Sequence, residues 1–178
     1  MIKILNNKAA CISLLVFLFH AGLHAEPALY TVSGSAEYSA SSTMTDWKGK
    51  NDSVKGTLSM ESPGGKICIQ MPEWNSGNLK RDAHGSEMFE VKKFLQSCFV
   101  IQAVSEKDGK TTISGMLTLH GITKAVSFTG TKKASGSEVD LEMNTVVSLS
   151  EFGMKPPVLM GIRVNNSVKV FVKAKGRR

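Results

Sequence analysis

The chain has 178 residues, with 22 lysines and arginines against 15 aspartates and glutamates, and a formal net charge of +7. The basic residues are dispersed except for a group at the C-terminal end, and no nucleic-acid-binding motif is present, so no nucleic-acid partner is expected. The charge is compatible with solubility, or with transient attraction to anionic lipid surfaces.

The segment from Met1 to Ala25 predicts a secretory signal peptide. Two lysines precede an almost uncharged apolar run from Ala9 to Leu23. The run is too short and wrongly flanked for a spanning helix, and an uncleaved membrane anchor is the alternative. Cleavage after Ala25 would leave residues 26–178 as one domain in the periplasm or outside the cell. The oligomeric state is left open, with a dimer among the alternatives.

Three strands are predicted in the first part of this domain. Residues alternate between two faces from Leu29 to Tyr38, from Val54 to Glu61 and from Lys66 to Met71. Period-two alternation is typical of half-buried strands, and a Pro-Gly-Gly turn joins the last two into a hairpin. The intervening segment Ser39–Lys55 is polar, and we interpret its Trp47 as a plug at one end of a barrel.

One helical excursion is predicted after the third strand. From Ser86 to Phe94 the apolar residues recur at the spacing of one helix face. Ser86 is a suitable N-cap, and the acidic residues that follow it and the lysines near the end suit the helix dipole. The preceding Leu79–His84 segment is predicted as a second, brief helical turn.

Period-two alternation then returns and predicts the remaining strands. In the first of them, Phe99, Ile101 and Ala103 share one face. An apolar, proline-bearing loop from Glu151 to Gly161 interrupts the pattern near the end. The predicted strands are Ser97–Ser105, two strands within Thr112–Thr129 that meet at His120-Gly121, Val139–Leu149, and a last segment from Ile162 to Val172.

About eight strands, mostly joined by short hairpins, predict an all-β antiparallel barrel with one short helical excursion, because closure removes exposed strand edges. The interior of an eight-stranded barrel can be filled by side chains or can hold one small ligand. Periodicity alone does not separate these cases. A filled core would indicate a structural or interaction module of the cell envelope, and a hollow core would indicate a carrier.

Cys68 and Cys98 are the cysteines outside the signal segment. In an oxidising compartment they favour one disulfide bond. The loop would span 98 − 68 = 30 positions and would stabilise the fold by about 3–4 kcal/mol through chain entropy. Two separate buried thiols are the alternative, because pairing requires neighbouring strands in the right register.

Neither catalysis nor metal binding is expected, and no cofactor is implied. His84 and His120 are the only histidines outside the signal segment, and they lack paired spacing for zinc. No G-x-S-x-G motif is present to place a nucleophile beside a base. We interpret Arg81, Asp82 and His84 as a polar network that pins the excursion, with a role in gripping a ligand head group as the alternative.

Several motifs resemble those of the YceI-like family of periplasmic lipid-binding β-barrels. The central stretch G-x-L-T-L-H-G-I-T-K-x-V is similar to that family's signature. Arg81, Asp82 and His84 fit its R-D-x-H-L segment, which precedes a short helix ending in an aromatic residue, here Phe94. Similar runs are Glu151-Phe152-Gly153 for D-F-G, the K-P-P-x-x-M-G that follows it, and Thr43–Trp47 for L-H-D-W.

The resemblance implies a lipocalin-like barrel whose apolar tunnel holds a long-chain isoprenoid or a similar lipid. Roughly 15 buried carbons at ~0.8 kcal/mol each would contribute on the order of 12 kcal/mol before ordering costs. The chain departs from the family pattern at Gly85, where the family has leucine, and at Leu95, where it has proline. The predicted ligand-binding residues are Leu117, Leu119, Phe128, Leu141, Met143 and Val170 along the tunnel, and Phe89, Phe94, Phe152 and Met160 at its mouth.

Overall fold

The computed structural model describes residues 28–60, 63–159 and 161–178, so the predicted signal peptide lies outside the described residues. The strands within these ranges are β1 (Leu29–Ser41), β2 (Asp46–Ser59), β3 (Gly65–Gln70), β4 (Gln96–Lys107), β5 (Lys110–Leu119), β6 (Ile122–Ser135), β7 (Glu138–Ser148), β8 (Val158–Leu159), β9 (Ile162–Arg163) and β10 (Ser167–Arg177).

Eight of these strands close into an antiparallel barrel in the order β1-β10-β7-β6-β5-β4-β3-β2, while β8 and β9 form a separate small hairpin. Each barrel strand pairs with its neighbours in antiparallel register, and β2 returns to β1 to complete the ring. The predicted eight-stranded antiparallel barrel is therefore confirmed.

The alternation seen in the sequence sets which side chains point into the barrel. On β5, Ile113, Leu117 and Leu119 are buried, and the alternate residues Ser114, Met116 and Thr118 are more exposed. On β7, Leu141 and Met143 are buried on the inner face. Burial of one apolar face per strand is the main favourable term that closes the ring.

The two ends of the barrel differ. At one end the connections are tight, with Asp108-Gly109 between β4 and β5 and residues 136–137 between β6 and β7. The other end carries the long connections, namely residues 71–95 between β3 and β4 and the segment between β7 and β10 that contains the β8–β9 hairpin. We call this second end the mouth.

The polar segment that the sequence analysis left outside the strands belongs to β1 and β2, so this part of the prediction is wrong. Ser35 of β1 lies opposite two residues of β2, Asp52 and Ser53, where the register shifts. This β-bulge changes the inward-facing positions of β2 from odd to even numbers, between Asn51 and Val54. A search for uninterrupted alternation therefore detects only the second half of β2.

A second bulge corrects the face assigned to Ala103. Ile101 pairs with Gly115, but Ala103 pairs with Ser114, so Gln102 is the extra residue in β4. Beyond the bulge Ala103 is exposed, and Val104 packs against the core in its place.

The helix predicted from Ser86 to Phe94 lies earlier in the structure, whereas the brief helical turn predicted at Leu79–His84 is confirmed as part of it. Helix α1 spans Leu79–Met88, and the Asn78 side chain caps it by accepting a hydrogen bond from the Arg81 backbone N–H at 3.1 Å. Ser86 lies inside α1 and is not its N-cap. The helix ends before Glu90, whose φ of 45° is left-handed. No helix in the described ranges is both long and apolar enough to cross a bilayer.

Cys68 and Cys98 face each other across β3 and β4 and form the predicted disulfide bond. The neighbouring Ile67 and Phe99 point into the barrel, so by alternation the bridge lies on the outer surface. Its position near the mouth ties together the two strands from which residues 71–95 emerge.

Cross-strand ion pairs account for much of the C-terminal basic group. Three outward-facing cations at the C-terminal end of β10 each lie opposite an acidic residue of β7, where opposite charges are favourable. The pairs are Lys173–Glu142 at 2.9 Å, Lys175–Asp140 at 3.6 Å and Arg177–Glu138 at 2.5 Å.

Candidate ligand-binding tunnel

A cavity of about 910 Å³ extends into the barrel from the mouth. All eight barrel strands contribute inward-facing residues to its wall, and most of these are aliphatic or aromatic. Protein interiors are normally close-packed, and small-molecule sites typically measure ~300–1,000 Å³. The barrel interior is thus hollow over much of its depth, with the dimensions of a ligand site.

The six residues predicted along the tunnel are all found in the cavity wall. They come from four strands, and Phe128 packs edge-on against Phe99 with ring centroids 5.0 Å apart. Contact between these residues and a ligand stays a prediction. The six are Leu117, Leu119, Phe128, Leu141, Met143 and Val170.

The end of the barrel away from the mouth is closed by buried side chains. Tyr30, Val32, Leu58 and Val139 are buried there and do not line the cavity. The wall residues nearest to them include Ala36 of β1, so the cavity ends in a floor within the barrel. The tunnel is therefore blind, with its opening at the mouth.

Helix α1 and the turns after it cover part of the mouth. Arg81, Gly85 and Met88 of α1 line the cavity, followed by Phe89 and Val91. Phe89 thus lies where the sequence analysis placed it. The opposite side of the opening is formed by the segment around the β8–β9 hairpin, which contributes Lys155, Pro157, Val158 and Ile162.

Two other residues predicted at the mouth do not line the cavity. Phe152 is 1% exposed in a short 3₁₀ helix, and the ring of Phe94 packs on His120 with centroids 5.0 Å apart. Gly121 permits this packing, because a Cβ there would lie 2.6 Å from the Phe94 ring. Met160 lies outside the described residues.

His120 fastens the segment after α1 to the barrel. Its Nδ1 lies 3.1 Å from the Phe152 carbonyl oxygen, and its Nε2 lies 2.7 Å from a carboxylate oxygen of Glu90. Both His120 and Glu90 have left-handed backbone angles, which cost energy in residues other than glycine. The paired side chains hold both residues in place. The sequence indicated a turn at His120-Gly121 but not these partners.

An aromatic cluster at the mouth was missed by the sequence analysis. The Tyr38 ring meets Trp74 edge-on at 5.2 Å, and it lies over Gly49, where a Cβ would be only 2.3 Å from the Tyr38 ring. Trp47, interpreted from the sequence as a plug, lines the cavity beside them. The small residues of β1, such as Ala36 and Ala40, alternate with Tyr38 on one face and could have shown that this face is inward.

Two charged side chains of α1, Arg81 and Asp82, lie close to this cluster. Burial, and secondarily the carboxylate of Asp82, raise the pKa of Tyr38, while the guanidinium of Arg81 opposes them. Asp82 accepts a hydrogen bond from the Ser76 backbone N–H at 3.0 Å, which pins the start of the helix. The exposed His84 has its Nδ1 3.7 Å from Glu87. The three residues predicted as one network therefore have separate partners.

A buried polar network closes the wall between β2 and β3, whose ladder covers only Lys55–Leu58. The Asn51 amide donates to the Gln70 carbonyl at 2.7 Å, and the Ser53 hydroxyl accepts from the Gln70 N–H at 2.8 Å. Asn51 is 1% exposed, and its carbonyl also accepts from the Ser53 N–H. Buried polar groups need such partners, so side chains replace the missing ladder. Among the described residues, no cluster of three metal-ligating side chains is found.

A closed barrel with a blind apolar tunnel defines a lipocalin-like β-barrel protein. The model of the YceI-like domain matches residues 28–175, so the chain belongs to the YceI-like family. The resemblance drawn from the sequence motifs is therefore confirmed.

Comparisons with individual proteins agree with this family. A UPF0312 protein of Pseudomonas putida (strain W619) is 34% identical over 91 residues, which cover 46% of this chain and 47% of the relative. The chain thus spans about half the length of that relative.

Two solved structures share the fold at low sequence identity. BcnA of Burkholderia cenocepacia has a TM-score of 0.67 at 16% identity, covering 79% of this chain and 95% of its own. A polyisoprenoid binding domain from Saccharophagus degradans, implicated in plant cell wall breakdown, has a TM-score of 0.66 at 15% identity, covering 85% and 99%.

Proposed function

We propose that the protein is an exported, non-enzymatic carrier or store of one long isoprenoid-type lipid in the cell envelope. The observation that carries the proposal is the blind cavity of about 910 Å³ with a mostly apolar wall. An apolar chain that enters the cavity leaves water and gains ~0.8 kcal/mol for each buried CH₂ group. A tunnel of this kind needs few polar contacts to hold a long tail.

The size of the cavity excludes a simple packing defect. Enclosed cavities left by truncated side chains cost ~24 cal/mol per Å³, so a void of about 910 Å³ would cost about 20 kcal/mol. This exceeds the ~5–15 kcal/mol by which folded domains are stable. The space is open at the mouth, where a ligand or solvent can fill it, and its apolar wall favours a ligand.

The wall is also suited to an irregular, methyl-branched tail. Met71, Met88 and Met143 line the cavity, and methionine side chains adapt their shape because they are unbranched and flexible. Branched aliphatic residues, including Val168 and Val170, also line the cavity. The neighbour from Saccharophagus degradans is a polyisoprenoid binding domain, which supports the same ligand class for this fold.

Native mass spectrometry of the purified protein tests the proposal, together with thermal unfolding in the presence of added prenyl lipid. We expect a non-covalent adduct, and a lipid at about 100 times its Kd should stabilise the fold by about 2.7 kcal/mol. For a domain of this size that corresponds to a rise in Tm of roughly 5–10 °C. A bare polypeptide mass combined with an unchanged Tm would exclude a lipid carrier.

A further inference from the structure

Gly85 occupies the middle of α1 for no local structural reason. Its backbone is helical, and a Cβ built on it would meet no atom within 4 Å. Neither a special conformation nor a close neighbour requires glycine there, and glycine is among the least favourable residues inside a helix. Gly85 also lines the cavity. Because glycine has no side chain, α1 leaves a gap at Gly85 in its cover of the mouth.

Arg81 lies one turn before Gly85 on the same helix face and also lines the cavity. Its guanidinium lies over the Trp47 ring, 5.5 Å from the centroid. It forms no ion pair with a carboxylate anywhere in the described residues. A stacked guanidinium keeps its edge N–H groups available, and these match the paired oxygens of a phosphate or carboxylate.

The acidic groups at the opening contact partners other than Arg81, so its guanidinium can bind an anion. The carboxylate of Asp82 already accepts from the Ser76 backbone N–H, and Glu87 lies beside His84. Lys155 adds a second cation on the opposite side of the mouth.

We propose that the gap at Gly85 and the guanidinium of Arg81 form a head-group subsite for an anionic lipid head, either phosphate or carboxylate. The tail would fill the tunnel, and the head would leave through the gap and bind Arg81. This inference rests on the proposed function, because it assigns the head group of the same ligand.

Tryptophan fluorescence provides the binding assay, because both tryptophans of the chain, Trp47 and Trp74, line the cavity. Geranylgeranyl phosphate, geranylgeranoic acid and geranylgeraniol share one tail and differ in the head. The phosphate, the carboxylate or both should bind about tenfold to a hundredfold more tightly than the alcohol. Whichever acid shows the gain identifies the head.

Arg81→Gln should remove this preference, so that the acidic lipids and geranylgeraniol bind with the same affinity, and Arg81→Lys should retain part of it. Lys80→Gln is the matched control, because Lys80 is the adjacent cation on α1 and does not line the cavity. It should bind all three lipids as the unmodified protein does. Equal binding of acid and alcohol, or a preference that survives Arg81→Gln, would overturn the subsite.

Gly85→Leu tests the gap. Leucine favours the helix over glycine, so Tm should not fall, while the affinity for the acidic lipid should drop about tenfold. Gly85→Ala should lower this affinity less. Unchanged affinity in Gly85→Leu would show that the head does not pass this position. If none of the three lipids binds the unmodified protein, the proposed carrier function itself fails, whereas equal binding of all three overturns only the subsite.

Discussion

The hollow part of the barrel and its closed end should respond differently to the same substitution. Val170 lines the cavity, whereas Val139 is 1% exposed at the closed end of the barrel. Val139 is so closely surrounded that a Cβ added to Gly176 would lie 2.7 Å from one of its methyl groups. Val→Phe adds several carbons to each site. Overpacking a filled core costs ~1–3 kcal/mol, so Val139→Phe should lower Tm by roughly 2–12 °C.

Val170→Phe should instead keep Tm within about 2 °C of the unmodified protein, since its ring can extend into open space. The ring would occupy volume needed by the tail, so prenyl lipid should bind at least about tenfold more weakly. Thermal unfolding and lipid titration of the two variants measure both effects. Similar destabilisation by the two substitutions, with no separate loss of binding, would show that the barrel is not hollow at Val170.

Three further results are expected. Replacing Cys68 and Cys98 by serine should lower the free energy of unfolding by about 3–4 kcal/mol, measured by urea denaturation, and an unchanged midpoint would contradict this. Tyr38 should ionise above the ordinary tyrosine range because its pKa is raised in the folded state. The folded state then holds the phenol proton more tightly than the unfolded chain, so this contribution to stability is present below the ordinary pKa and is lost as pH rises through the folded-state pKa. Ultraviolet titration of the tyrosine measures the shift. His120→Ala should remove two hydrogen bonds, to the Phe152 carbonyl and to Glu90, and lower stability by ~1–3 kcal/mol. Amide exchange over residues 89–94 should be faster, and unaltered exchange there would argue against the fastening role.

The sequence predicted the barrel because most strands bury one face without interruption. Where the period holds, as in β5 and β7, the predicted inward residues match the buried ones. Where a bulge inserts a residue, as at Ser53 and Gln102, the two faces exchange and local alternation gives the wrong face or no strand. Bulges depend on pairing with the neighbouring strand, which a single segment does not encode.

The mouth was harder to predict than the wall, because its geometry depends on contacts between distant segments. The helix was placed too late because apolar spacing after Ser86 resembled a helix face, whereas the Asn78 cap and the left-handed Glu90 set its limits. Phe94 and Phe152 are aromatic residues in the expected loops, but both contact His120 and neither lines the tunnel. Their positions in the sequence indicated that they lie near the mouth, but not the direction in which their side chains point.

The packed floor of the barrel gives the tunnel a fixed depth. An isoprenoid bound as proposed, with its tail in the tunnel, would advance until its terminal methyl groups met the buried layer around Tyr30 and Val139, and its length would then determine how far the other end protrudes. Short chains would sink below the rim and long chains would project above it. Under the proposed function the barrel would thus measure the length of its ligand, and the number of prenyl units would decide which atoms of the lipid remain accessible outside it.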